Sequence, residues 1–128
     1  MLIIDKETKQ INLTRGDYGV LEITATDEND QPYTFNAGDI VRFKVLKAKE
    51  YDCVEFQKDV NVLEECTAVN LELSRKDTRI GEFINKPKDF WYEIEVNPET
   101  APQTILGWDL DGPKIFRLYP EGATQDDR

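Results

Sequence analysis

Residues 90–96 read Phe-Trp-Tyr-Glu-Ile-Glu-Val, and the fold class can be predicted from their pattern. Its even-numbered members are all apolar or aromatic, whereas Glu93 and Glu95 between them are charged. Because successive side chains of a strand point to opposite faces, this period of two predicts a strand with one buried and one wet face. Strands of that kind are typical of antiparallel sheets.

The same alternation recurs along the chain and predicts further strands. It is clear in residues 20–27, 40–47 and 69–74, and weaker in residues 2–4, 11–14, 54–57, 60–64, 103–108 and 115–119. Between them lie residues that form turns, and one helical turn is expected at residues 74–78, where Ser74 can cap it. We therefore predict an all-β fold, an immunoglobulin-like antiparallel β-sandwich of about eight or nine strands with at most one short helical turn.

The buried faces of the four clear strands predict the core. The expected core residues are Leu21, Ile23, Val41, Phe43, Val45, Leu71, Leu73, Tyr92, Ile94 and Val96.

Length and composition allow such a core without metal or disulfide support. The chain has 128 residues, of which 39% are hydrophobic and 33% charged, and a chain of this size buries about two-thirds of its surface on folding. We expect residues 1–122 to form one domain. Residues 123–128 offer no large apolar side chain, so we expect a disordered tail there.

The charge balance argues against several classes of partner. The chain has 16 basic and 26 acidic residues, which give a net charge of −10. A field of that sign repels phosphate backbones and anionic lipids, so we expect no nucleic-acid partner and no membrane association. No apolar run approaches the length of a membrane span, and Asp5 follows the opening apolar residues at once. We therefore expect no signal peptide.

The absence of histidine removes the commonest general base, the usual partner of serine and cysteine nucleophiles, and the commonest zinc ligand. Cys53 and Cys66 alone make a poor zinc site, and without secretion they are expected to be buried thiols rather than a disulfide. We accordingly predict no cofactor, no metal site and no enzymatic activity.

Acidic residues suggest two further hypotheses, a catalytic carboxylate pair and calcium-binding turns. Glu93 and Glu95 share a strand face at about 7 Å, a spacing that carboxylate-pair glycosidases can use. With 26 acidic residues such pairs arise freely, and a small β-domain leaves little room for a substrate cleft. The Asp-rich residues 27–30 and 109–112 resemble parts of calcium loops but lack the distal glutamate, so hairpin turns are expected while calcium binding there stays open.

Three aromatic residues are the candidates for a binding surface. Trp91 falls on the polar face of its strand, and Trp108 and Tyr119 lie near strand ends. Exposed aromatic rings of this kind are typical of protein interfaces and of sugar-binding platforms. From the residues alone, a protein interface and a sugar-binding platform both remain open.

Four segments occur in an order that resembles a known family. They are residues 11–17 with Ile-x-Leu-Thr-Arg-Gly-Asp, residues 33–45 with Tyr-x-Phe-x-x-Gly-Asp-x-Val-x-Phe-x-Val, residues 73–78 with Leu-x-x-x-Asp-Thr, and residues 91–96 with Trp-Tyr-Glu-Ile-Glu-Val. This series resembles the N-terminal domain of the baseplate upper protein family of phages and prophages of Gram-positive bacteria. It departs from the family where Glu93 stands in place of the usual aspartate. That domain also usually heads a longer virion protein, whereas residues 112–122 resemble the end of short stand-alone phage proteins of the same kind.

The motif residues are structural in type, since glycine followed by aspartate forms tight turns and Asp-Thr can end a strand through hydrogen bonds to its own backbone. The turn motif comprises Arg15, Gly16, Asp17, Gly38, Asp39, Asp77 and Thr78.

The resemblance implies a phage or prophage structural protein of the tail or baseplate. It also implies that the partners are other tail or baseplate proteins and further copies of the chain in a homo-oligomer. The expected location is the virion, or the bacterial cytoplasm before assembly. The alternative function is a small carbohydrate-binding or adhesin module that uses Trp91, Trp108 and Tyr119.

Overall fold

The fold is described from a computed structural model over residues 3–4, 9–25, 29, 31–48, 54–80, 86–97, 99–100, 103–106 and 113–120, with the backbone alone for 3–4 and 103–106. The described elements in chain order are β1 (Ile3–Ile4), β2 (Ile11–Thr14), β3 (Gly19–Ile23), β4 (Ile40–Leu46), β5 (Val54–Asn61), β6 (Val69–Leu73), α1 (Arg75–Thr78), β7 (Lys88–Val96), β8 (Gln103–Leu106) and β9 (Lys114–Tyr119).

The strands form two sheets of unequal size that are arranged as a sandwich. The larger sheet has the order β1-β2-β9-β7-β4-β5, with β8 also paired to β7, and the smaller sheet pairs β3 with β6. The buried core draws side chains from both sheets. The predicted all-β sandwich with one short helical turn is therefore confirmed.

One pairing departs from the predicted antiparallel arrangement. Strands β2 and β9 run parallel, with Ile11 beside Phe116 and Leu13 beside Leu118, whereas the other strand pairs are antiparallel. A period of two is the same in parallel and antiparallel strands, and no hairpin joins these two, which lie at opposite ends of the chain. Local sequence signals therefore could not reveal their direction.

All ten predicted core residues are buried. The ring of Phe43 lies near the middle of this core, with its centre 5.5 Å from that of Tyr92 and 6.0 Å from that of Phe116. The core also contains residues outside that list of ten, which are Ile11, Leu13, Phe35, Val62, Val69, Phe90, Phe116 and Leu118.

Strand boundaries differ from the prediction at two places. Residues 54–57 and 60–64 belong in part to a single strand, β5, which continues through Lys58. Lys58 occupies a core-side position in the alternation of β5. Its long side chain starts on the core side, and its ammonium reaches the Asp77 carboxylate, 2.7 Å away. Strand β3 ends at Ile23, and residues 26–27 of the predicted strand lie outside the described part.

Several other sequence predictions can be placed in the structure. Ser74 caps α1 as predicted, and its hydroxyl accepts a hydrogen bond from the backbone N–H of Asp77. Cys66 is a free thiol that is half-buried against the core. Cys53, residues 107–112 and the tail 123–128 lie outside the described residues, as does most of the 27–30 turn.

The central position of Phe43 makes it the test of the assigned register. Phe43→Ala removes a fully buried ring and should lower the free energy of unfolding by about 3–5 kcal/mol through lost transfer energy and the cavity left behind. Urea unfolding followed by circular dichroism measures this. Val20→Ala is the control, since Val20 is 44% exposed on β3 and should change stability by no more than about 0.5 kcal/mol. Equal unfolding midpoints for the two variants would contradict the assigned packing.

Candidate interaction surface

The candidate surface is the outer face of the larger sheet, the side turned away from the core. Trp91 lies there because β7 buries its even-numbered side chains, Phe90 to Val96, in the core. The strand register places Trp91 directly between Leu46 of β4 and Ile115 of β9. We call Leu46, Trp91 and Ile115 the apolar row. It crosses three neighbouring strands.

The apolar row is a cluster separate from the main core. Leu46 is 1% exposed but does not belong to the core cluster, while Trp91 and Ile115 are half-buried. The sequence carried a signal for this row, since Leu46 is an apolar residue on the face of β4 that also bears the charged Arg42 and Lys44. Trp91 was predicted as an interface residue. Leu46 and Ile115 were missed.

An ionic cluster borders the apolar row on one side. The Lys44 ammonium lies 3.1 Å from a carboxylate oxygen of Glu95 and 3.5 Å from one of Glu93. Burial lowers the pKa of Lys44, but the hydrogen bonds and charges of the two glutamates outweigh it and raise the pKa above its usual value. The carboxylate pair considered for catalysis therefore shares one buried ammonium.

Arg42 extends this ionic cluster along the sheet. Its guanidinium donates two hydrogen bonds to Asp59 of β5, at 2.8 and 3.0 Å, and a third to Glu99 at 2.9 Å. These hydrogen bonds, in the first place those to Asp59 and then the one to Glu99, hold the pKa of Arg42 above its usual range. The bidentate geometry fixes the two strands relative to each other on this face.

A second ion pair borders the apolar row on the other side. Arg117 donates to the two carboxylate oxygens of Asp89 at 2.6 and 3.2 Å. Tyr119, which is 36% exposed, lies two residues further along β9, with its hydroxyl 3.4 Å from the side-chain oxygen of Asn12. Because Tyr119 follows Ile115 by four residues on the same face, it lies about 13 Å along the strand from the apolar row.

The structure therefore places two of the three predicted interface residues on one face without bringing them together. Trp91 lies in the apolar row, and Tyr119 lies beyond the pair formed by Arg117 and Asp89. Trp108 lies outside the described residues. The outer face thus has an apolar centre, and the charged side chains on either side of it form ion pairs with one another.

The turn-motif residues form a first joint between the two sheets. Gly16 adopts a positive φ of 86° in the turn that leads from β2 to β3. The hydroxyl of the buried Thr78 donates to the backbone carbonyl of Asp17 at 2.7 Å. The Arg15 guanidinium donates to the carbonyl of Ile80 at 3.2 Å. Two motif segments that are about sixty residues apart in the chain thus form one structure.

A second joint ties the start of β4 to the end of β7. Gly38 has a φ of 95°, and the Asp39 carboxylate accepts hydrogen bonds from the backbone N–H of Asn36 and from the side-chain amide of Asn97. The side-chain oxygen of Asn97 accepts from the N–H of Ile40 at 2.9 Å. Asn97 was missed in the sequence, although its positive φ of 50° is one that asparagine tolerates well.

Asp77 holds α1 in place and links it to β5. Its carboxylate accepts from the backbone N–H of Ser74 at 2.9 Å and from the Lys58 ammonium at 2.7 Å. Burial raises the pKa of Asp77, but the hydrogen bonds from Lys58 and Ser74 outweigh it, so its pKa lies below the usual 3.8.

No protein-family model matches the chain, and neither does any curated protein or solved structure. No helix among the described residues is long and apolar enough to cross a membrane. Within the same residues, no group of three or more cysteine, aspartate or glutamate side chains is arranged to hold a metal ion. Function is therefore inferred from the motif resemblance and from the geometry of the joints and the outer face.

The lowered pKa of Asp77 gives a pH-dependent contribution to stability. A carboxylate whose pKa is lower in the folded state stabilises the fold above its unfolded pKa and loses that contribution as the pH falls through the folded value. At about pH 7, Asp77→Asn should cost about 1 kcal/mol of unfolding free energy. The difference from the wild type should shrink as the pH falls below 3.8.

Chemical denaturation at about pH 7 and about pH 3 measures this difference. Glu72→Gln is the control because Glu72 is exposed on β6, and its effect should stay close to zero at both pH values. A cost for Asp77→Asn that stays constant across the range would contradict the assigned role of the carboxylate.

Proposed function

We propose that this protein is a non-enzymatic structural component of a phage or prophage virion, in the tail or baseplate, that acts by docking to other virion proteins and by self-association. The observation that supports the proposal is that the turn-motif residues make hydrogen bonds that hold the fold together. Asp17, Asp39, Asp77 and Thr78 are occupied by hydrogen bonds within the two joints and the α1 cap. The segments that resemble the baseplate family therefore build a scaffold, and the outer face is left as the functional surface.

The strand order supports the immunoglobulin-like part of the proposal. In variable-type immunoglobulin domains, strands G, F, C and C′ form one sheet and strands B and E pair in the other. The order β9-β7-β4-β5 opposite β3-β6 corresponds to that arrangement. The short helix α1 then falls between the strands that correspond to E and F.

The chemistry of the outer face favours a protein partner. The charges beside the apolar row form ion pairs within the chain: Glu93 and Glu95 with Lys44 on one side, and Asp89 with Arg117 on the other. A partner can cover Trp91 and Ile115 without leaving these charges unpaired, which is the arrangement of an interface with an apolar centre and a polar rim. A net charge of −10 disfavours polyanionic partners.

The location follows from the same proposal. A tail component is made in the bacterial cytoplasm and is carried in the assembled virion. Its partners are other tail or baseplate proteins together with further copies of this chain.

The double variant Trp91→Ala and Trp108→Ala tests the docking surface. It should abolish docking to a neighbouring tail protein, or shift the solution mass toward the monomer, because aromatic side chains contribute a large share of interface energy. Co-purification with tail proteins encoded beside it, together with light scattering, measures both effects. Circular dichroism should show that the double variant remains folded.

Tyr18→Ala is the matched control, since Tyr18 is exposed ahead of β3 in the smaller sheet. It should leave docking unchanged. A wild type that is monomeric, binds no tail protein and retains a glycan through the two tryptophans would overturn the proposal in favour of a carbohydrate-binding module.

A further inference from the structure

Strand β5 forms one edge of the larger sheet in the described part of the chain. It spans eight residues, Val54–Asn61, and is the longest edge strand among the described elements. It pairs with β4 on one side, and no described strand pairs with it on the other. A long regular edge presents a row of backbone donors and acceptors that can pair with another strand.

The register identifies which backbone groups point to that open edge. At the start of β4, the backbone N–H of Asn97 donates to the carbonyl of Ile40, so Ile40 directs its backbone toward β7. Alternate residues of an antiparallel pair behave alike, and Arg42 and Lys44 therefore do the same. Their partners on β5, which are Asn61, Asp59 and Gln57, point their N–H and C=O groups away from β4. The side chains of these three residues are exposed.

The sequence of β5 is suited to pairing with itself in one antiparallel register. Centred on Lys58, this register sets Phe56 opposite Val60 and Gln57 opposite Asp59 of the second copy. A centre at Gln57 would set Glu55 opposite Asp59, and a centre at Asp59 would set two Asp59 side chains together. Like charges directly opposite each other destabilise a sheet, which disfavours the centres at Gln57 and Asp59. Centres at Phe56 and Val60 would overlap only residues 54–58 and 59–61 of β5, whereas the centre at Lys58 overlaps residues 55–61 and is therefore favoured.

Lys58 is an inward-pointing lysine on an edge strand, and such a lysine usually blocks pairing. In this chain the Lys58 ammonium lies 2.7 Å from the Asp77 carboxylate of the same molecule. Each of the two central lysines would therefore carry its own counter-ion into the pair. A lysine charge protects the edge strands of other proteins from pairing, but the Lys58 charge on β5 is neutralised by Asp77.

We propose that two copies of the chain pair antiparallel through β5, about a two-fold axis at Lys58, and so join their larger sheets into one continuous sheet. The inference rests on the self-association part of the proposed function and assigns it to the strand edge. The outer face with its apolar row remains free for a different virion protein.

A proline substitution tests the edge directly. Gln57→Pro removes an N–H that points to the open edge and leaves the hydrogen bonds between β4 and β5 in place. At roughly 100 µM, where a complex of micromolar Kd is largely formed, the wild type should have twice the 14.8 kDa mass of the chain, and Gln57→Pro should be monomeric. Gln57→Ala is the matched control, because it keeps the N–H and should remain dimeric. A monomeric wild type would overturn the proposal.

A cross-linking experiment covers the case in which Gln57→Pro does not fold. With Cys53 and Cys66 replaced by serine, Lys58→Cys should form an intermolecular disulfide on oxidation, because directly opposed Cα atoms lie about 4.5–5.5 Å apart. Glu55→Cys is the control. Its two copies would lie about 20 Å apart in the same register and should not cross-link. Equal cross-linking at both positions, or none at Lys58→Cys, contradicts the register.

The double tryptophan variant separates this inference from the proposed function. If the edge carries self-association, Trp91→Ala with Trp108→Ala should lose docking to tail proteins and retain the dimer mass. If that variant becomes monomeric while Gln57→Pro stays dimeric, self-association uses the outer face, and the edge inference is wrong although the proposed function stands.

Discussion

Strand β7 lies inside the larger sheet, with β4 paired along one edge and β9 and β8 along the other, so both of its faces need packing or pairing partners. On the inner face, Phe90, Tyr92, Ile94 and Val96 enter the core between the two sheets. On the outer face, Glu93 and Glu95 share the ammonium of Lys44, and Trp91 lies between Leu46 and Ile115. The rest of the larger sheet is arranged around this strand, and the same residues that complete its outer face create the candidate surface.

The two joints explain how a sandwich with a two-stranded second sheet holds its shape. Thr78 connects the turn before β3 to the segment that follows β6, and these are the two strands of the smaller sheet. Asn97 and Asp39 connect the ends of β4 and β7 in the larger one. Since backbone groups in buried connections need hydrogen-bond partners, these few polar side chains supply them where the ladders stop. The segments that resemble the baseplate family are therefore the segments that the fold requires at its turns.

Much of this architecture could be predicted from the sequence, because strand alternation and helix capping are local signals. The core positions from Leu21 to Val96 on the four clear strands follow from the period of two, and the Ser74 cap follows from residue type. The parallel pairing of β2 with β9 could not be predicted, since it depends on residues at opposite ends of the chain. The contact of Thr78 with Asp17 was missed for the same reason, although each residue had been identified as part of a turn.

The candidate surface was predictable only in part. Trp91 stood out because a large ring on a charged strand face is unusual, but its neighbours Leu46 and Ile115 come from other strands and depend on register. The pairing of Glu93 and Glu95 with Lys44 likewise needs the alignment of β4 with β7. Sequence spacing placed the two carboxylates on one face. Only the three-dimensional register supplied the cation that binds them.

Whether this chain is a part of a virion can be measured from the protein content of purified particles. Particles from the induced prophage, or from a phage that encodes the chain, can be separated into tails and heads and analysed by quantitative mass spectrometry. We expect the chain to be present in the tail fraction at several copies per particle, in a fixed ratio to the other baseplate proteins. Particles that lack the chain, while it accumulates in the cell lysate, would contradict it.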